Sequence, residues 1–309
     1  MLTIIVPLDG SALAEQALPY GQLLSRLLGA PVRLVAVVAQ SEVDGLVAGK
    51  AALQSTLSGA EAVGFERTRV AREVLAERAR AYLARHLEAL RAAGVQADDD
   101  VVIGEPADEL CAVARATGDA LLVMVPHSYD GNTASPSTGV TDAVIEAHVA
   151  PVFVVRSATV TLTSGLAPLA LRKILLPIDT PERSQAELTW AVRLARAAGA
   201  EILVLHADLM AVHDPSIGVA AREKLTEALQ TLTTHTARDH GVTVTPVVIG
   251  GVTDTTILEA AGHNGADLII FGIEPQGWLR RRLLGSVSDS VRRAAPMPVL
   301  IVPRDGSQG

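Results

Sequence analysis

The residue pattern most able to do chemistry in this chain is one that would hold an anion. An apolar run over 268–271 ends in Gly272, and Gly285-Ser286-Val287-Ser288 stands at the start of a helical pattern. Glycine at a strand end lets the backbone approach a ligand closely. A Gly-Ser pair opening a helix offers free N–H groups and the positive end of the helix dipole, and Ser286 adds a hydroxyl. Together these could hold the phosphates of a nucleotide. The same residues would also serve as an ordinary glycine turn with a serine N-cap. Pro275 lies between them and has no N–H to donate, while Gly277 could restore a tight turn two residues later. Arg280, Arg281 and Arg282 could supply charge to phosphates or form a solvated basic turn. Trp278 stands in the same stretch and could pack on a partner.

Other chemistry is weaker. His206, Asp208, His213 and Asp214 come nearest to a metal cluster, but one falls at a strand end and the others run into a loop. Gly45-Leu-Val-Ala-Gly49-Lys50-Ala51 has three residues between its glycines where a P-loop has four, and no Ser or Thr follows the lysine. No G-x-G-x-x-G follows a strand and no G-x-S-x-G elbow is present. Cys111 falls in a helical pattern and reads as buried and inert. Trp190 reads as core. No carboxylate, histidine or lysine is placed as a catalytic base near the glycine pattern, so at most weak hydrolysis of a bound nucleotide is expected.

The elements that must position these residues occur twice. Residues 3–38 read TIIVPLDGSALAEQALPYGQLLSRLLGAPVRLVAVV and residues 173–208 read KILLPIDTPERSQAELTWAVRLARAAGAEILVLHAD. An offset of 170 sets Asp9 on Asp179, Pro7 on Pro177 and Gly29 on Gly199. Further along, an offset of 147 sets Leu121 on Leu268, Val140 on Val287, Asp142 on Asp289 and Pro151 on Pro298. Self-similarity on this scale is a tandem duplication. Each copy alternates short apolar runs with helical patterns. In the first copy strands are expected at 3–8, 32–38, 101–103, 120–125 and 152–155, with helices at 12–28, 69–91, 108–117 and 141–148. That alternation predicts an α/β fold with a parallel sheet covered on both faces. In such folds ligands bind at the carboxyl ends of the strands, where strand order reverses.

The boundaries expected are a first domain over 1–157, a small, threonine-rich linker over 158–170 and a second domain over 171–305. The fall in offset means that the first copy holds 23 extra residues, assigned to 40–68. Gly45, Gly49, Ser55, Ser58, Gly59 and Gly64 punctuate that segment, so a disordered loop is expected there. Composition fits two globular domains: 309 residues, 49% hydrophobic and 19% charged. The net charge of −8 does not favour nucleic acid or an anionic membrane as partner. The single cysteine excludes an internal disulfide. With no basic n-region and no apolar run long enough to span a bilayer, a soluble cytoplasmic protein is expected.

The tandem arrangement, the opening Val6-Pro7-Leu8-Asp9-Gly10-Ser11 and the closing glycine pattern together resemble the universal stress protein family. Gly272-x2-Pro275-x9-Gly285-Ser286 has the spacing of that family's G-x2-G-x9-G-[S/T], with proline at the second glycine. Gly104-Glu105-Pro106-Ala107-Asp108-Glu109 resembles its G-x-P-x-x-E stretch. The resemblance implies a doubly wound, Rossmann-like, five-stranded parallel sheet in each domain. It further implies ATP, with or without Mg2+, at the switch point, and pairing of the two domains through their last strands as an intramolecular pseudo-dimer, with a homodimer through another surface left open. It implies that Asp179 faces the adenosine, that Ala207 lines the adenine pocket through its backbone, and that Gly272, Gly285, Ser286 and Val287 contact ribose and phosphates. In the first copy Asp9 and Val37 match, but Val125, Ser128, Thr138 and Gly139 stand where Gly272, Pro275, Gly285 and Ser286 stand in the second. The first domain is therefore expected not to bind ATP in the family's manner, and its Asp9 to be a relic or a helix cap. Two functions compete: a stress-response protein using ATP as a regulatory ligand in the second domain, and a scaffold or dimerisation module in which both sites have decayed.

Overall fold

The structure is a computed structural model that describes residues 1–52, 60–126, 139–156, 170–208, 219–274 and 286–304. Among these, chain contacts separate two compact units: the first runs to Val149 and the second starts at Ala150.

The first unit is built on four strands, β1 (Thr3–Pro7), β2 (Val32–Ala39), β3 (Ala97–Gly104) and β4 (Ala120–Met124). They are all parallel, in the order β3-β2-β1-β4. The strands β1 and β4 read as unbroken apolar runs because helices cover both faces. Ile4, Ile5, Leu121 and Leu122 are fully buried there. The helix Leu18–Leu28 ends at Gly29, whose φ of 61° is left-handed, and the helix Gln185–Ala198 ends the same way at Gly199 with φ 66°. Both are C′ glycines, at positions that the repeat sets on each other. The helix Pro106–Thr117 buries Cys111, and burial pushes that thiol's pKa up.

The described residues of the segment 40–68 do not form the disordered loop expected of it. Its described residues are helical, over Gln40–Ala52 and then in the helix Ala60–Ala92. Val43, Leu46 and Val47 follow three-and-four spacing, which turns one face of the first helix inward. Val43 is fully buried beside Val38 of β2 and Ala71, with Leu75, Ala79 and Ile103 around them. Gly45 inside that helix costs about 1 kcal/mol relative to alanine, less than the burial of a valine returns. Counting glycines missed this; the spacing of the valines and leucine carried it.

The second unit holds β5 (Val152–Val154), β6 (Lys173–Pro177), β7 (Glu201–Asp208), β8 (Thr243–Gly250), β9 (Leu268–Ile273) and β10 (Val299–Pro303). Their order is β5-β10-β9-β6-β7-β8. Every pair is parallel except the first: β5 runs antiparallel to β10, with Val154 opposite Val299, Phe153 opposite Leu300 and Val152 opposite Ile301. By sequence β5 is the last strand of the first copy, yet its contacts place it with the second unit. The edge that β10 would otherwise present is thereby paired. The Arg156 guanidinium, two residues after β5, donates to the carbonyl oxygens of Arg293 and Ala295. The linker 158–170 lies almost wholly outside the described residues. Trp190, read as core, is only half-buried, and Arg193 stacks over its ring at 5.0 Å. No helix among the described residues is long and apolar enough to cross a membrane.

Candidate functional site

In the second unit the strand order reverses between β6 and β9: the chain leaves β6 toward β7 and leaves β9 toward β10. A crevice at the carboxyl ends of these strands is where such a sheet takes a ligand. Three of the residues singled out from sequence meet there. The Ile178 N–H continues the ladder to the Leu205 carbonyl at 2.8 Å, which brings the exposed Asp179 to the level of the half-buried Ala207. Gly272 lies near the end of β9, on the other flank of β6, in register with Val302. Val287 is half-buried in the helix Ser286–Ala294. Gly285, Pro275, Gly277, Trp278 and the three arginines 280–282 lie outside the described residues, as does the side chain of Ser286.

Sequence reasoning missed what lies over Gly272. Glu187, in the first turn of the helix Gln185–Ala198, is fully buried. It pairs with Arg304, the residue after β10, which is 14% exposed. The guanidinium engages both carboxylate oxygens, and its Nε lies 3.1 and 3.3 Å from them. A second carboxylate, Glu274 at the end of β9, pairs with Arg183 and reaches Arg304 Nη1 at 3.5 Å. Burial works against the charge on Arg304, but the hydrogen bonds to Glu187 and the charges of Glu187, Asp179 and Glu274 hold its pKa above the ordinary value. The hydrogen bond from Arg183 holds the half-exposed Glu274 carboxyl below the usual range, against a smaller opposing effect of burial. The only signal in the sequence was a glutamate among the inward positions Leu188, Ala191 and Val192; its partner lies 117 residues away.

The glycine at 272 therefore has a use inside the protein. A Cβ added there would meet the Arg304 Nε and both Glu187 carboxylate oxygens inside van der Waals contact. Gly272→Ala is expected to lower stability by about 1–3 kcal/mol, the range for overpacking a tight site. Urea unfolding checks this; an unchanged midpoint would mean that the ion pair moves aside without penalty.

His206 is half-buried, with its Nδ1 3.1 Å from the Ile178 carbonyl oxygen. The metal cluster considered with it includes His213 and Asp214, which lie outside the described residues. Among the described residues no group of three or more His, Cys, Asp or Glu could hold a metal ion.

The equivalent place in the first unit is a cleft open to solvent. Pro7 and Leu8 from the end of β1, Val35 and Val37 from β2, and Met124 and Val125 from β4 form its walls. Among the described residues its polar lining groups are Asp9 and Thr141. Asp9 is not idle: its Oδ1 accepts from the Ser11 N–H at 3.0 Å and the Ser11 hydroxyl at 2.6 Å. Ser11 Oγ in turn accepts from the Ala14 N–H at 3.1 Å, where a 3-10 turn leads into the helix Leu18–Leu28. Asp9 thus holds Ser11 in place, and no side-chain cap bond is made at the start of the 3-10 turn or of the helix Leu18–Leu28. Gly104 and Glu109, the ends of the G-x-P-x-x-E stretch, touch each other: the Glu109 side chain folds over Gly104.

Comparison with known proteins gives a consistent result. The profile of the Universal stress protein family matches residues 1–156 and 170–303. Universal stress protein YxiE of Bacillus subtilis (strain 168) is 31% identical over 144 residues, 42% of this chain and 97% of that protein. A universal stress protein from Archaeoglobus fulgidus DSM 4304 superposes over 99% of this chain and 97% of its own, with a TM-score of 0.67 at 19% identity. A shorter universal stress protein from Archaeoglobus fulgidus, solved in complex with dAMP, matches 42% of this chain and 97% of its own at 19% identity, with a TM-score of 0.35.

Proposed function

Because the chain belongs to the universal stress protein family, we propose that it is a cytoplasmic stress-response protein that binds an adenine nucleotide, ATP with or without Mg2+, in its second copy. The site would be formed by Asp179, Ala207, Gly272, Gly285, Ser286 and Val287, with the nucleotide as a regulatory ligand and no dedicated hydrolytic base. The observation that carries this reading is the meeting of Asp179, Ala207 and Gly272 at the strand-order reversal, followed by a helix that opens at Ser286. Arg183 and Arg304 place two cations at the same end of the sheet, where a phosphate would compete with Glu274 for them.

Calorimetric titration with ATP tests the reading. One site per chain is expected. Gly285→Val should abolish binding and Asp9→Ala should leave it intact; two equivalent sites, or the opposite response of these variants, would overturn the assignment. Pro275→Gly should tighten binding by about tenfold or more, because a restored N–H donating to a charged acceptor contributes about 1.5–3 kcal/mol. An unchanged affinity would show that the loop needs no donor at that position.

A second reading, a scaffold that no longer takes nucleotide, is favoured by the Glu187–Arg304 pair. It fills the space over Gly272 that a ligand would approach. Absence of any ATP binding, by calorimetry at millimolar nucleotide, would select it.

A further inference from the structure

We propose that Glu274 is a tethered competitor built into the second copy: its carboxylate occupies two guanidiniums that a phosphate would use, and a nucleotide binds by expelling it. This inference rests on the reading of the second copy as an adenine-nucleotide site and concerns how that site is regulated.

A single oxygen bridges the two cations. Glu274 Oε1 accepts from Arg183 Nη2 and lies 3.5 Å from Arg304 Nη1. A phosphate oxygen held by the same two guanidiniums would carry the same sign of charge and accept the same donors. Glu274 directly follows Ile273, the last residue of β9, and stands two residues beyond Gly272. The charge of Asp179 also acts on Arg304. The two cations thus share one end of the sheet with residues assigned to the nucleotide.

Burial decides which of the two carboxylates paired with Arg304 can leave. Glu187 is fully buried, and without its partner it would be a charge stranded away from water. That pair is fixed. The side chains of Arg183 and Glu274 are 55% and 45% exposed, so water can solvate Glu274 when it moves out, at the small cost of a surface ion pair. Arg304 meanwhile stays anchored by Glu187 through its Nε and Nη2, which leaves Nη1 for an incoming anion. Arg304 is the fixed cation and Glu274 the exchangeable anion. The hydrogen bond from Arg183 holds the Glu274 carboxyl below its usual range, so the competitor is charged at neutral pH.

The duplication ties these charges to the glycine pattern. The offset of 170 sets Leu13 and Ala17 where the second copy has Arg183 and Glu187. The first copy therefore encodes neither ion pair, and it is also the copy in which Thr138-Gly139 stands in place of Gly285-Ser286. Both copies share the fold, so a network needed only to hold that fold would be expected in both. This one accompanies the pattern on which it would act.

Calorimetric titration of the full chain with ATP tests this. Glu274→Gln keeps the shape of the side chain and removes its charge. It should tighten ATP binding at least threefold, because an exposed ion pair no longer has to be displaced. In an Arg183→Ala background the same substitution should tighten binding less than twofold, since one of the contested cations is gone. An unsubstituted chain that binds ATP as tightly as Glu274→Gln would overturn the proposal, and so would an equal gain with and without Arg183. Binding by Glu274→Gln alone would support it, with the competitor hiding the site. ATP bound by neither chain would count against the nucleotide reading itself, and the proposal would fall with it.

Discussion

Arg304→Ala should cost the second unit about 3–5 kcal/mol of stability, the range for removing one partner of a buried ion pair. Glu187 is fully buried and Arg304 is 14% exposed, so solvent does little to screen the pair. Without the guanidinium, the carboxylate keeps its desolvation penalty and loses the hydrogen bonds that offset it. The attraction itself contributes far less than this figure. Replacing both partners by apolar residues of similar size, Glu187→Leu with Arg304→Met, should therefore be near neutral. Both tryptophans, Trp190 and Trp278, belong to the second copy, so tryptophan fluorescence in urea follows that copy alone. A loss below about 1 kcal/mol for the single variant would mean that the pair behaves as a surface pair does.

Ile301→Pro should be similarly severe, about 2–4 kcal/mol, and for a different reason. Ile301 is 2% exposed in β10, which is paired on one side with β9 and on the other with β5. Proline there removes a ladder donor and leaves its acceptor unpaired where water cannot reach. The same change on a strand edge would be tolerated. A thermal midpoint that falls by less than about 2 °C would show that β10 is not held on both flanks as described.

Much of this molecule was legible in the chain because its signals are local. Strand and helix order follows from apolar runs and from three-and-four spacing, which depend on residues a few positions apart. Gly29 and Gly199 end their helices in the left-handed conformation because only glycine adopts it without strain. The duplication was legible because two copies of one fold face the same local constraints. The segment 40–68 was misread although its signal was also local: Val43, Leu46 and Val47 outweighed the glycines that punctuate it.

The sequence by itself determined the α/β class and the tandem repeat, because both rest on local patterns that each copy repeats. Tertiary structure alone decided what fills the two equivalent places. Glu187 and Arg304 are 117 residues apart, and no spacing rule couples them; their pairing exists only because a helix end and a strand end arrive at the same point above Gly272. The cleft beside Val125 is the converse, a space whose walls come from three strands and two helices. It can be seen only when those elements are packed, because an empty volume is a property of the assembled neighbours and not of any residue that lines it.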